Sequence, residues 1–148
     1  MEIAVLACGC FWGPEIKFSK LEGIYRTEVG YCGGNSSKTS YEEVCRGNTN
    51  HAEVVKLEFD PNKISYEKIL EFFFQIHDPT TLNSQGPDFG TQYRSEIFYL
   101  NDNQKNIAEK ITKKINEKLS GKVVTKISSL KNYCIPEEYH QKYLDKNY

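Results

Sequence analysis

Apolar and polar positions along the chain follow two periods, and the switches between them predict its elements. Glu2–Ala7 (EIAVLA) is dense in Val, Ile and Leu and reads as a buried strand. Glu15, Ile16, Phe18 and Leu21 then recur at helical spacing, with Pro14 tolerable because it falls in the first turn. Gly23–Tyr31 (GIYRTEVGY) alternates as a strand, and Gly30, Gly33, Gly34 and Asn35 close it with a loop. Ser40 can cap a short helix through Tyr41, Val44 and Cys45. His51–Phe59 (HAEVVKLEF) is a strand ended by Asp60-Pro61-Asn62, and Ser65 caps a strongly apolar helix over Tyr66–Ile76. Arg94–Leu100 reads as a strand, Asp102–Leu119 as a long helix and Val123–Ile127 as another strand. Leu130–Tyr148 is irregular apart from a helical segment near Pro136–Leu144. Between these lies His77–Gly90, polar and rich in Gly, Pro and Asp; a loop of this length inside a compact domain is usually functional. The order β-α-β-α-β-α-β-α-β predicts an α/β (α+β) two-layer sandwich: a mixed sheet with helices packed on it and a long irregular C-terminal stretch.

Composition narrows the class. A chain of 148 residues is expected to be one domain, residues 1–148, with a core of its own. Aromatics make up 13% of it, so rings must fill much of that core. Lys and Arg number 19 against 20 acidic residues, so nothing global points to nucleic acid or a membrane surface. The lysines between Lys105 and Lys131 alternate with Ile107, Ile111, Ile115 and Leu119, the pattern of a helix with one solvated face. No segment has signal-peptide form or the length of a membrane span. Five cysteines, an odd number, then argue for a reducing compartment, and the expected location is cytoplasmic. The glycosylation sequon Asn35-Ser36-Ser37 would go unused there. A monomer is the default expectation.

The candidate chemistry centres on Cys8-Gly-Cys10-Phe11-Trp12-Gly13-Pro14-Glu15. Cys10 sits where the first strand hands over to a helix N-terminus, whose amides and dipole favour a thiolate. Phe11 and the sole tryptophan, Trp12, place an aromatic wall beside that sulfur. Glu53 shares a strand face with Val55, Leu57 and Phe59, so its carboxyl should have a raised pKa and serve as a general acid. The other reading of Glu53 is a strand-end residue whose carboxyl reaches solvent. Asp88 and Tyr93, in and just beyond the Gly/Pro loop, could orient partners and donate to a developing charge, as could Tyr41. With ten tyrosines in the chain, most must be structural. No metal is expected: His51-x-Glu53 lacks the downstream Pro-Cys-x-x-Cys ligands, and Cys8-x-Cys10 has no second pair. No histidine has the spacing of a base for a Cys-His hydrolase.

These residues bring out a resemblance. Gly9–Gly13, Tyr41–Cys45, His51–Glu53, His77–Thr80, Gly86–Ser95 and Glu138–Gln141, in this order, resemble the methionine sulfoxide reductase A family along nearly the whole chain. The resemblance implies a two-layer α/β sandwich and a reductase for the S epimer of methionine sulfoxide, free or in proteins. By motif position it makes Cys10 the catalytic cysteine and Glu53 the acid that protonates the sulfoxide oxygen. Tyr41, Asp88 and Tyr93 become its hydrogen-bonding helpers, and Phe11 and Trp12 the pocket for the substrate methyl. It implies no cofactor beyond an external thiol reductant such as thioredoxin, glutaredoxin or glutathione.

Oxygen left on Cys10 as sulfenic acid needs a second sulfur. Many members of the family carry recycling cysteines beyond the Tyr-His-Gln segment, whereas this sequence ends at Tyr148 with none there. Cys134, just before that segment, is a candidate resolving cysteine, and Cys32, in the Gly-rich loop, a weaker one. Cys8 and Cys45 fall in apolar contexts and read as core. Two other readings stay open at this point. One is a thiol peroxidase that takes hydroperoxides. The other is a non-catalytic module whose aromatic pocket binds methyl-bearing peptides and needs no activated sulfur.

Overall fold

The computed structural model describes residues 1–9, 12–32, 52–85 and 88–130, with the backbone alone for Trp12, Asp88, Phe89 and Thr91. The first strand, β1 (Glu2–Cys8), lies in the middle of a five-stranded sheet. Ala4, Val5, Leu6 and Ala7 are all fully buried, which is why the run is continuously apolar rather than alternating. On one side it pairs antiparallel with β3 (Ala52–Phe59), from Glu2↔Phe59 to Leu6↔Val55, and β3 pairs antiparallel with β2 (Ile24–Cys32). Two short strands follow, β4 (Ser84–Gln85) and β5 (Asp88–Phe89), paired only with each other. On the other side of β1 comes β6 (Ser95–Tyr99), antiparallel to it, and then β7 (Lys126–Ser129), parallel to β6. The sheet is therefore mixed, in the order β2-β3-β1-β6-β7.

The described helices, α1 (Trp12–Ser19), α2 (Tyr66–Gln75) and α3 (Asp102–Lys118), build one core against one face of the sheet. Ala4, Leu6 and Cys8, Val29 and Tyr31, Val55, Leu57 and Phe59 point into it and meet Phe18, Ile69, Phe73 and Ile111 from the helices. Alternation along each strand sends the intervening residues to the opposite face, where Val5, Ala7, Cys32, Ala52, Val54 and Phe98 form a second buried cluster. The Ser65 side chain accepts from Lys68 N at 3.1 Å and starts α2, while Asn101 does the same for α3 through Gln104 N at 2.8 Å. Gln104 also donates to the Ile3 carbonyl at 2.6 Å, fastening α3 to the central strand.

The expected two-layer mixed sandwich is present, with three local corrections. Cys32 does not belong to a loop. It completes β2 opposite Ala52 and is fully buried. The last strand starts at Lys126 rather than Val123, because Val123 N bonds Asn116 Oδ1 and Val124 N bonds Pro79 O before the parallel register with β6 begins. The stretch from His77 to Gly90 is not all loop, since it contains β4 and β5. The helices expected at Tyr41–Cys45 and Pro136–Leu144 lie outside the described residues.

Candidate active site

Antiparallel pairing gathers four strand termini at one end of the sheet. β1 and β2 finish there, with Cys8 and Cys32, while β3 and β6 begin there, with Ala52 and Ser95. Glu53 is the second residue of β3, fully buried, and faces the helix-side core with Val55 and Leu57. The alternation in HAEVVKLEF thus places it as expected, and its Oε2 is removed from solvent. Its register partner on β2 is Tyr31, also fully buried. Continuing the β1–β3 register past Leu6↔Val55 brings Cys8 level with Glu53, so the chain leaves β1 for Cys10 at the edge where Glu53 lies. The helix α1 starts at Trp12, two residues beyond Cys10. A carboxyl kept from water at this end of the sheet can supply a proton where a negative charge develops.

Against this edge lie the described residues His77–Gln85, through Gln85 on Gly9 and His77 on Ser95, and the turn Thr91–Tyr93, through β3. His77 stacks on Phe73 with ring centroids 4.3 Å apart, its Nδ1 is 2.6 Å from the Phe73 carbonyl, and its Nε2 is 2.7 Å from Ser95 Oγ. A carbonyl only accepts, so Nδ1 carries the proton of the neutral ring and Nε2 accepts from Ser95. Thr125 Oγ1, 2.7 Å from Ser95 Oγ, is then the donor to it. Burial holds the imidazole down to a pKa of about 4, against the opposing pull of the Phe73 carbonyl and Asp78. Asp78 folds back onto Thr80, whose amide and hydroxyl both donate to Oδ1 and keep the carboxyl below its ordinary value. Gln85 Oε1 accepts from Asp78 N at 3.0 Å, and its Nε2 donates to Asp78 O at 2.5 Å. β4 pairs Gln85 with Asp88, and the 3₁₀ turn Thr91–Tyr93 packs against β3 and against both short strands.

Of the residues singled out in the sequence, Glu53 and Tyr93 therefore lie on elements in contact, and the Asp88 backbone belongs to the hairpin packed beside them. Cys10, Phe11, Tyr41, Cys45 and Cys134 lie outside the described residues, as do the side chains of Trp12 and Asp88. Cys8 is a core thiol, as expected, pushed up to about 12 by burial with Lys17 pulling the other way. Cys32 faces the second cluster, across the sheet from Glu53 and Tyr31.

Several buried polar residues here were not singled out. Glu15, only 1% exposed, sits on α1 and accepts from Thr27 Oγ1 at 3.2 Å. Arg94 and Glu96 form a buried pair, Nε to Oε1 2.6 Å, and Ser128 Oγ donates to Glu96 Oε2 at 2.6 Å. A charged residue at a core position of an amphipathic stretch, as Glu15 is, was the one signal that could have found any of them. Among the described residues, no group of three His, Cys, Asp or Glu side chains could hold a metal ion. Nor is any described helix long and apolar enough to cross a membrane.

Comparison with known proteins agrees with this geometry. The family model for peptide methionine sulfoxide reductase matches residues 2–148. A relative from Pelagibacter ubique (strain HTCC1062), named peptide methionine sulfoxide reductase MsrA, is 77% identical over 146 residues, 99% of each chain. One of the same name from Methanothermobacter thermautotrophicus is 47% identical over 148 residues, covering 99% of this chain and 88% of that one. Among solved structures, reduced Mxr1 from Saccharomyces cerevisiae superposes with a TM-score of 0.93 at 46% identity, over 99% of this chain and 85% of that one. Mxr1 solved in complex with Trx2 matches with a TM-score of 0.69 at 31% identity, over 96% of this chain and 84% of that one. The family model over residues 2–148 and a 77% identical relative matched over 99% of both chains show that this chain belongs to the peptide methionine sulfoxide reductase MsrA family.

Proposed function

We propose that the chain, acting as one catalytic domain over residues 1–148, reduces the S epimer of methionine sulfoxide, free or in proteins, to methionine. The observation that carries this reading is the full burial of Glu53 at the sheet edge where β1 ends just before Cys10. In the proposed reaction the Cys10 thiolate attacks the sulfoxide sulfur while Glu53 gives its proton to the oxygen. Burial penalises the ionised carboxylate, so the acid is held protonated until that charge develops. Tyr41 and Tyr93 donate to the same oxygen, Asp88 orients these partners, and Phe11 and Trp12 pack on the methyl group and the polarisable sulfur. The S–S bond formed by this attack and the S–O bond then both break as the hydroxyl passes to the Cys10 sulfur, so methionine leaves and Cys10 carries the oxygen as sulfenic acid.

A thiol then attacks that sulfenic acid, releasing water and forming a disulfide, and a second thiol restores Cys10. Thioredoxin, glutaredoxin or glutathione fits this step, and the complex of Mxr1 with Trx2 supports a thioredoxin-type dithiol. No other cofactor is needed. An internal resolving thiol would be Cys134; Cys32 would have to leave a fully buried strand position to act. The compartment that suits this chemistry is the reducing cytoplasm, and a monomer suffices for it. The family match does not favour a thiol peroxidase or a non-catalytic peptide-binding module.

Steady-state reduction of the separated S and R epimers by native protein, Cys10→Ser and Glu53→Gln tests the reading. Native protein should turn over the S epimer alone, Cys10→Ser should be inactive, and Glu53→Gln should lose about 10²-fold or more in kcat with little change in KM. Equal turnover by Glu53→Gln at every pH would remove the acid from the mechanism.

A further inference from the structure

We propose that Gln85 is a positioning residue for the Cys10 thiol, clamping the hairpin that carries Asp88 onto the turn that leads into Cys10. The inference rests on the proposed role of Cys10. Gln85 touches both sides of the site with different parts of its side chain. Its stem lies flat on Gly9, the residue before Cys10: a Cβ built on Gly9 would stand 2.8 Å from Gln85 Cβ and 2.9 Å from Gln85 Cγ, closer than real Cβ atoms come. Gly9 also has φ +99°, in the left-handed region that only glycine adopts without strain. The turn can therefore approach Gln85 this closely only because position 9 has no side chain.

The amide head of Gln85 is fixed from the other direction. Its oxygen and nitrogen bond the amide and carbonyl of Asp78, as a neighbouring strand would. Asp78 is in turn held by Thr80 and by its neighbour His77, which is locked between the Phe73 carbonyl at the end of α2 and Ser95 at the start of β6. The Gln85 backbone meanwhile pairs with Asp88. A continuous path of contacts thus runs from α2 and β6 through Asp78 and Gln85 to Gly9, with the Asp88 backbone on the same residue. Distance between a nucleophile and the groups that stabilise developing charge decides rate more than binding, because about 1 Å of misplacement can cost 10²-fold.

The test is kinetic. Gln85→Ala removes the amide and the Cγ over Gly9, leaving only Cβ there, and should lower kcat about 10²-fold with KM within about twofold of native. It should also move the pH profile of iodoacetamide alkylation at Cys10, resolved by peptide mapping, to higher pH as the thiol drifts from the helix N-terminus. Gln85→Glu keeps the stem. Its protonated carboxyl can accept from Asp78 N and donate to Asp78 O, whereas the ionised form turns a second acceptor on that carbonyl. Its kcat relative to native at each pH should therefore recover as pH falls through the carboxylate range, about pH 4–5. A folded Gln85→Ala protein with native kcat and a native alkylation profile overturns the proposal, and so does a loss confined to KM. Should Gln85→Ala fail to fold, a pH-independent ratio for Gln85→Glu overturns it. Cys10→Ser, assayed alongside, separates the two levels: retained turnover there defeats the nucleophile assignment, whereas its loss beside an unaffected Gln85→Ala defeats only the clamp.

Discussion

His77 makes folding stability depend on pH in a way that can be worked from its contacts. The ring is packed on Phe73, has Nδ1 bonded to the Phe73 carbonyl and Nε2 to Ser95, and is largely shut away from water. Burial accordingly lowers its pKa from 6.5 to about 4. Above pH 6.5 neither the folded nor the unfolded chain protonates the ring, so this part of the stability is complete. Below that value the unfolded chain takes up a proton that the folded one refuses until about pH 4. Stability is therefore lost as pH falls through this window and then levels off. At 1.36 kcal/mol for each pH unit, the whole window amounts to roughly 3 kcal/mol.

The assay is the urea-unfolding free energy of native protein and His77→Gln from about pH 8 to about pH 4.5. Titrating groups that do not interact with His77 cancel in the difference between the two curves. The variant should be the less stable at high pH, having lost buried hydrogen bonds worth about 1–3 kcal/mol. The gap should then narrow by about 2.5 kcal/mol at the acid end. Parallel curves, or an imidazole titrating near the ordinary histidine value in the folded protein, would refute the reasoning.

Two further predictions concern the rest of the chain. Glu96→Ala takes a carboxylate from Arg94 in a buried setting and should cost about 3–5 kcal/mol in chemical denaturation. Ser128→Ala, which removes only the neutral donor to the same carboxylate, should cost about 1 kcal/mol; equal costs would mean that the ion pair is not what matters. Cys32 lies across the sheet from Glu53, so Cys32→Ser should leave the yield of any internal disulfide after turnover unchanged, whereas Cys134→Ser should abolish it. Intact mass without reductant reads both, and loss of the disulfide in Cys32→Ser would contradict the buried-strand account.

Much of this was legible in the sequence because local pattern decides it. The alternation around Val55, Leu57 and Phe59 placed Glu53 on an apolar face, and Ser65 announced its helix. What stayed hidden depends on which strands meet. Periodicity does not say that the first strand lies at the centre of the sheet, or that Tyr31 stands opposite Glu53. Nor does it show that a sheet is buried on both faces: the glycines after Tyr31 make the buried Cys32 read as a loop residue, and nothing local singles out the buried Glu96. The contact between Gln85 and Gly9 joins residues far apart in sequence through a stem and a bare Cα, and no local motif marks such a pair.

The most direct test of the central claim is a single turnover without reductant. Pre-reduced protein is mixed with a peptide bearing S-methionine sulfoxide, the methionine formed per chain is counted, and the intact mass is recorded. The account predicts one methionine per chain, with the protein gaining one oxygen at Cys10 or, where an internal thiol resolves the sulfenic acid, losing two hydrogens. No methionine from protein whose Cys10 is verified as reduced would contradict it.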